Sequence, residues 1–164
     1  MRGRVPIRFG TYNIWNGGNW GIESALRRIS QANMDLGIIQ EAKLTDGIYT
    51  RGSAGYSVVA TDAPSRHFGG VEVFYRLAPH FIVEAIKQFG TNVVSSQIAT
   101  GERKCYIVGC YLASYNTSTI YSVVAALKDP PQGAVTLVAR DFNANLSEPG
   151  GDRRGEDITA ALAT

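Results

Sequence analysis

The sequence predicts a layered α+β sandwich, two packed β-sheets with helices on their outer faces. Three observations carry that expectation. Apolar residues form or alternate in many strand-length segments, they recur at helical spacing in only two or three, and turn residues separate the segments throughout. Many short strands with few helices bury their apolar faces by packing sheet on sheet and covering the outsides with helices.

The first strand is expected over Val5 to Asn13, where Val5, Ile7 and Phe9 alternate with Pro6, Arg8 and Gly10. A loop of Asn16, Gly17, Gly18 and Asn19 follows. Ile22, Ala25, Leu26 and Ile29 then recur at helical spacing, so an amphipathic helix should run to about Asn33. Asp35 to Glu41 is an apolar run of strand length. Tyr56–Ala60, Val71–Tyr75, Phe81–Ile86, Asn92–Ile98 and Tyr106–Leu112 read as strands, with turns at Gly90-Thr91-Asn92 and Thr100-Gly101-Glu102. Ile120, Val123, Val124 and Leu127 signal a second helix, stopped by Pro130-Pro131. Ala134 to Ala139 is a last apolar strand. The segment from Ser147 to Gly155 is polar and glycine-rich, and a short helix is expected from about Glu156.

A chain of 164 residues can build one core but is short for two, and it shows no repeat, low-complexity tract or linker, so 1–164 reads as one domain. With 45% hydrophobic and 18% charged residues it has the composition of a folded domain rather than a disordered one. A formal net charge of +2 allows a local polyanion-binding patch without demanding one. Arg2, Arg4, Arg8, Arg153 and Arg154 cluster towards the two ends, where solvated surface is the plain reading. Cys105 and Cys110 lie at odd spacing in one strand, so they point to opposite faces and cannot pair. Buried free thiols fit a reducing compartment. No segment approaches the roughly 18 apolar residues of a membrane span, and no apolar stretch follows the first arginines, so no membrane association and a nuclear or cytoplasmic, non-secreted address are expected.

Several of the expected strands end in a polar residue on the face its apolar residues define. Asn13 continues the parity of Val5, Ile7 and Phe9; Glu41 shares a face with Ile39; Tyr111 with Ile107; and Asp141 and Asn143 with Val135 and Leu137. Where two sheets pack, such faces surface at the mouth of the sandwich, so these five residues should converge on one rim. Glu41 and Asp141 offer hard oxygen ligands suited to Mg²⁺, with Mn²⁺ as its substitute. Asn13 and Asn143 donate and accept hydrogen bonds without adding negative charge, and Tyr111 can donate to a phosphate. Each residue alone has an ordinary explanation as a solvated strand end, a turn asparagine or a packing tyrosine. The joint pattern is what points to phosphoryl chemistry.

The stretches Thr11-Tyr12-Asn13-Ile14, Gly37-Ile38-Ile39-Gln40-Glu41-Ala42-Lys43-Leu44, Gly69-Gly70-Val71, Val108-Gly109-Cys110-Tyr111 and Asp141-Phe142-Asn143 resemble the motifs of the endonuclease/exonuclease/phosphatase superfamily in order and spacing. Within it they look most like the endonuclease domains of non-LTR retrotransposons, especially fungal endonuclease–reverse transcriptase copies. The resemblance implies a four-layer α/β-sandwich of two mostly antiparallel sheets flanked by helices, cleaving DNA phosphodiesters with Mg²⁺. It assigns Glu41 and Asn13 to the metal and Asn13 and Tyr111 to the phosphate. Asp141 would orient the attacking water or leaving group, with Asn143 beside it.

The sequence also departs from that pattern. The family's C-terminal Ser-Asp-His is not present, and the only histidines, His67 and His80, sit in expected loops. The chain is therefore expected to be a domain without its last strands, weak or inactive as a nuclease, marginally stable, and open to self-association through an unpaired sheet edge. Arg140 stands where the family places glycine, Trp15 where related nucleases often place a polar residue, and Glu72 inside an apolar strand, where a carboxylate must be exposed or paired. Two other functions stay open: a phosphatase on the same fold, and a non-catalytic remnant binding DNA or protein at the same rim.

Overall fold

A computed structural model describes residues 6–15, 19–45, 49–63, 65, 67, 69–101, 103–112, 117–128 and 130–141. In chain order the elements are β1 (Phe9–Asn13), α1 (Asn19–Gln31), β2 (Leu36–Gln40), β3 (Tyr49–Ser53), β4 (Tyr56–Ala60), β5 (Val71–Arg76), β6 (Phe81–Gly90), β7 (Val93–Thr100), β8 (Arg103–Tyr111), α2 (Thr117–Leu127) and β9 (Val135–Asp141). Val5 and the helix expected near Glu156 lie outside the described residues, and β1 starts at Phe9 rather than at Pro6, Ile7 or Arg8.

One sheet has the order β1-β2-β5-β4-β3 and the other β6-β7-β8-β9. Most pairings are antiparallel. Two are parallel, β1 with β2 and β8 with β9, and each is bridged by a helix. A parallel pair needs such a crossover, because no tight turn can return the chain to the same end of the sheet. The two β-α-β units therefore bring the carboxyl ends of β1, β2, β8 and β9 out of the sandwich, and such ends are where α/β sheets carry their ligands.

Three apolar clusters separate four layers. Ile22, Ala25, Leu26 and Ile29 of α1 pack with Ile39, Tyr56, Val58 and Phe74 of the first sheet. Leu36, Ile38, Val71 and Val73 meet Val94, Ile98, Ile107 and Tyr111 between the sheets. Val93, Tyr106, Val108 and Cys110 of the second sheet pack under Ile120, Val123 and Ala126 of α2. The order is thus helix, sheet, sheet, helix. β8 shows the pleat plainly, with Ile107 and Tyr111 facing the other sheet and Tyr106, Val108 and Cys110 facing α2.

The helices begin and end for local reasons. Asn33 takes a left-handed φ of 54° just after α1, and the amide of Met34 bonds back to the Ile29 carbonyl at 3.1 Å, a C-terminal cap. α2 closes at Leu127, ahead of Pro130 and Pro131. Between the sheets Gly109 sets the spacing. A Cβ there would lie 2.5 Å from Ile38 Cδ1 and 3.0 Å from Val71 Cγ1, so any side chain would push the layers apart.

The structure alters several expected elements. β3 is a further strand at the edge of the first sheet, joined to β4 through Ala54 and Gly55 at φ 52° and 80°. β6 runs on to Gly90 through two register irregularities. Cys105 and Cys110 are both buried thiols that form no disulfide with each other, as their odd spacing requires. Glu72 is fully buried rather than exposed, and it retains an interaction partner.

Candidate functional site

Asn13, Glu41 and Tyr111 meet at one rim. Asn13 ends β1 and Tyr111 ends β8. Asn13 Nδ2 donates to Glu41 Oε1 at 3.2 Å, and the Tyr111 hydroxyl donates to the same oxygen at 2.9 Å. One carboxylate oxygen thus collects donors from both sheets. Its other oxygen, Oε2, faces Lys43 Nζ at 3.3 Å, and that ammonium also donates to the Trp15 carbonyl. The Glu41 side chain keeps 15% of its surface exposed, so solvent and ligands reach it.

Glu41 arrives there by a route that strand parity misses. Ile39 packs against α1, whereas Ile38 points between the sheets. Continued pleating would send Glu41 towards the helix layer, away from Tyr111. The expected common face of Ile39 and Glu41 is therefore incorrect. β2 stops at Gln40, and Glu41 turns left-handed at φ 59°, with Lys43 doing the same at φ 56°. That turn swings the carboxylate back to the inter-sheet mouth. A left-handed non-glycine residue costs about 1–3 kcal/mol and persists only where its surroundings enforce it.

The enforcing element is the Gly69-Gly70 turn. The Lys43 amide bonds the Gly69 carbonyl at 2.9 Å, and the Ala42 amide approaches the Gly70 carbonyl at 3.4 Å. Gly70 has φ 86°, and a Cβ on it would come within 3.1 Å of Lys43 N. Asn92, in the β6–β7 turn, ties this to the second sheet. Its Oδ1 accepts from Gly70 N at 3.1 Å, and its carbonyl accepts from Tyr111 N at 3.1 Å. Asn92 reads in sequence only as the junction of a turn and a strand, and nothing in the sequence marks this bridging position.

Asp141 ends β9 with its backbone in register beside Tyr111, so its strand delivers it to the same end of the sandwich. Its side chain, and Asn143 altogether, lie outside the described residues. Arg140 pairs with Cys110, whose side chain faces α2. The Arg140 guanidinium therefore leaves from the α2-facing side of β9. His80 precedes the end of β6 that pairs with Thr100, opposite to the Val93–Cys110 end near the rim. His67 is an exposed loop residue whose amide bonds Ser65 Oγ at 3.1 Å.

Among the described residues no three His, Cys, Asp or Glu side chains cluster as a metal site. Glu41 supplies one carboxylate, and Asn13, which donates to it through Nδ2, carries an amide oxygen of the kind hard cations accept. Magnesium is held through one or two carboxylates together with water and substrate phosphate rather than by an all-protein cage. This donor set fits such an ion. Lys43 meanwhile offsets the charge of Glu41 from the protein side.

No protein-family model matches the sequence, and neither does any curated protein. Solved structures do match. The endonuclease domain of TRAS1, a telomere-specific non-LTR retrotransposon, superposes with a TM-score of 0.74 at 18% identity, over 97% of this chain and 72% of that one. Mannosyl-6-phosphatase from Bacteroides thetaiotaomicron gives 0.62 at 10% identity, over 94% and 70%. D. rerio TDP2 complexed with single strand DNA product gives 0.59 at 15% identity, over 93% and 64%. The chain has the endonuclease/exonuclease/phosphatase fold, the four-layer sandwich that its motifs imply, and it spans about two thirds to three quarters of these structures. Among the described residues no helix is long and apolar enough to cross a membrane.

Proposed function

We propose that this chain is a Mg²⁺-dependent phosphodiester hydrolase domain of endonuclease type that acts on DNA and derives from a retrotransposon-like element. The observation that carries it is the shared oxygen of Glu41, which receives the Asn13 amide from one sheet and the Tyr111 hydroxyl from the other. Those two donors aim the carboxylate and stand where a phosphate would be held. Glu41, with Asn13, would hold the ion. A divalent ion bound there stabilises the negative charge that develops on the phosphoryl group and its leaving oxygen. Asn13 and Tyr111 hydrogen-bond the phosphate once it displaces part of their interaction with Glu41. Asp141, delivered beside Tyr111 by β9, orients the attacking water or the leaving group, with Asn143 next to it.

Support for DNA as the substrate comes from the TRAS1 endonuclease domain and from TDP2 with its single-strand DNA product, which share this fold. The phosphatase reading has support of its own in the mannosyl-6-phosphatase. Supercoiled plasmid with Mg²⁺ separates the two. Nicking that vanishes with EDTA and in Glu41→Ala establishes the nuclease, whereas turnover of a soluble phosphate monoester without nicking establishes the phosphatase. DNA binding that falls steeply with salt, with neither reaction, identifies a binding module. Because no histidine is placed with the cluster, we expect nicking to be slow.

The edge of β9 completes the proposal. Among the described residues it is the outer strand of its sheet, and Val135 and Val138 on it are exposed at 57% and 40%. Unpaired strand edges with apolar side chains recruit further strands. Two copies should associate through it, giving a concentration-dependent mass in light scattering; a monomeric mass across concentrations rules this out.

A further inference from the structure

We infer that Trp15 and Trp20 form a base-stacking ledge beside the Glu41 rim, so that the polymer held there is nucleic acid with unpaired bases. This rests on the nucleic-acid reading of the rim and names the form of substrate it takes. The chain has two tryptophans, and both are on the surface, at 78% and 85% exposure. Tryptophan is normally among the more buried side chains, so two bare indoles five positions apart mark a surface that awaits a partner.

Their placement selects the partner. Trp15 follows Asn13 by two residues, and its carbonyl is gripped by Lys43, the same ammonium that pairs with Glu41. The backbone carrying the first indole is therefore fixed to the rim itself. Trp20 lies in the first turn of α1, and Arg27, two helical turns on, is exposed on the same face. An indole and a guanidinium on one helix face match the two surfaces of a nucleic-acid strand, its bases and its phosphates. Five residues of chain span at most about 18 Å, so the two indoles are within reach of one short strand. A small phosphate monoester would leave both uncovered. Paired, stacked bases in a duplex would offer them no free face.

Tryptophan emission reads only these two residues, which makes the test independent of catalysis. The protein in EDTA is titrated with an oligo-dT strand, with an abasic strand of equal length, and with duplex DNA, at low salt. The oligo-dT strand should quench emission and bind at least tenfold more tightly than the abasic strand or the duplex. Trp15→Ala and Trp20→Ala should each weaken oligo-dT binding roughly 10- to 100-fold without changing the melting temperature. Equal binding of oligo-dT and abasic strands, equal binding of duplex, or no quenching by any of them overturns the ledge. Quenching by oligo-dT in a protein that, with Mg²⁺, cleaves neither plasmid nor single-stranded DNA would sink the hydrolase and keep the ledge, so the two claims fail separately.

Discussion

The hydroxyl of Tyr111 donates to Glu41 Oε1 at 2.9 Å across 70 residues of sequence, from the last residue of one sheet's strand to the first residue beyond the other's. This single contact joins the two halves of the sandwich at the mouth where chemistry is expected. Removing it in Tyr111→Phe leaves the packing of the ring intact. Hydrogen bonds to charged groups contribute about 1.5–3 kcal/mol. Nicking by Tyr111→Phe should therefore fall roughly 10- to 150-fold, and because the same bond holds the folded rim the melting temperature should drop by several degrees while the protein stays folded, measured by plasmid turnover and calorimetry. A variant that cleaves like the parent removes Tyr111 from the site.

Asn92 should act on the site without touching it. Asn92→Ala deletes the acceptor for Gly70 N, and Gly70 in turn packs under the left-handed backbone of Lys43. Loss of one such bond costs about 1–2 kcal/mol, and in a chain of this size each kcal/mol lowers the melting temperature by about 2–4 °C. Divalent-ion binding should weaken in parallel, because Glu41 is no longer held in its turned conformation. Asn92→Asp keeps the acceptor and should restore both; if it restores stability but not ion binding, the link through Gly70 is wrong.

Gly109→Ala tests the spacing of the sheets. Its new methyl would sit 2.5 Å from Ile38 Cδ1, and overpacking of this kind costs about 1–3 kcal/mol. Ile38→Val removes the clashing atom. The double variant should therefore be more stable than the sum of the two single losses, read from urea unfolding. Simple additivity would mean that the sheets relax elsewhere.

The thiols supply a pH prediction. Burial raises the Cys105 pKa, with the Arg103 charge opposing it. The folded-state value lies above the unfolded one, so the stabilisation it reflects is complete below the unfolded thiol pKa and is lost as pH rises through the folded value. Native protein should resist iodoacetamide at pH 8 and react only on unfolding, by mass spectrometry. Rapid labelling of Cys105 in native protein contradicts its burial.

Much of the architecture is legible in sequence because period-two alternation and helical spacing are local. Tyr56 to Ala60 and Ile120 to Leu127 declare themselves that way, whereas the alternation ahead of Phe9 extends the first strand beyond where β1 begins. Parity also carries Tyr111 to the inter-sheet face, and the register of β9 sets the Asp141 backbone beside it. It fails at Glu41, because a left-handed residue leaves no trace in alternation and its cause, the Gly69-Gly70 turn, lies nearly thirty residues downstream. β3 is illegible for a different reason. Tyr49–Ser53 is polar and contains Gly52, and it becomes a strand through pairing with β4. The Asn92 bridge depends wholly on tertiary contacts.

Divalent-ion binding at Glu41 is tested most directly by Mn²⁺ titration, followed by electron paramagnetic resonance without substrate. The parent should bind one ion at the rim, Glu41→Gln should lose it, and Asp141→Asn should weaken it, with all three proteins melting as folded domains. Equal Mn²⁺ affinity in the parent and in folded Glu41→Gln would contradict the metal-dependent site.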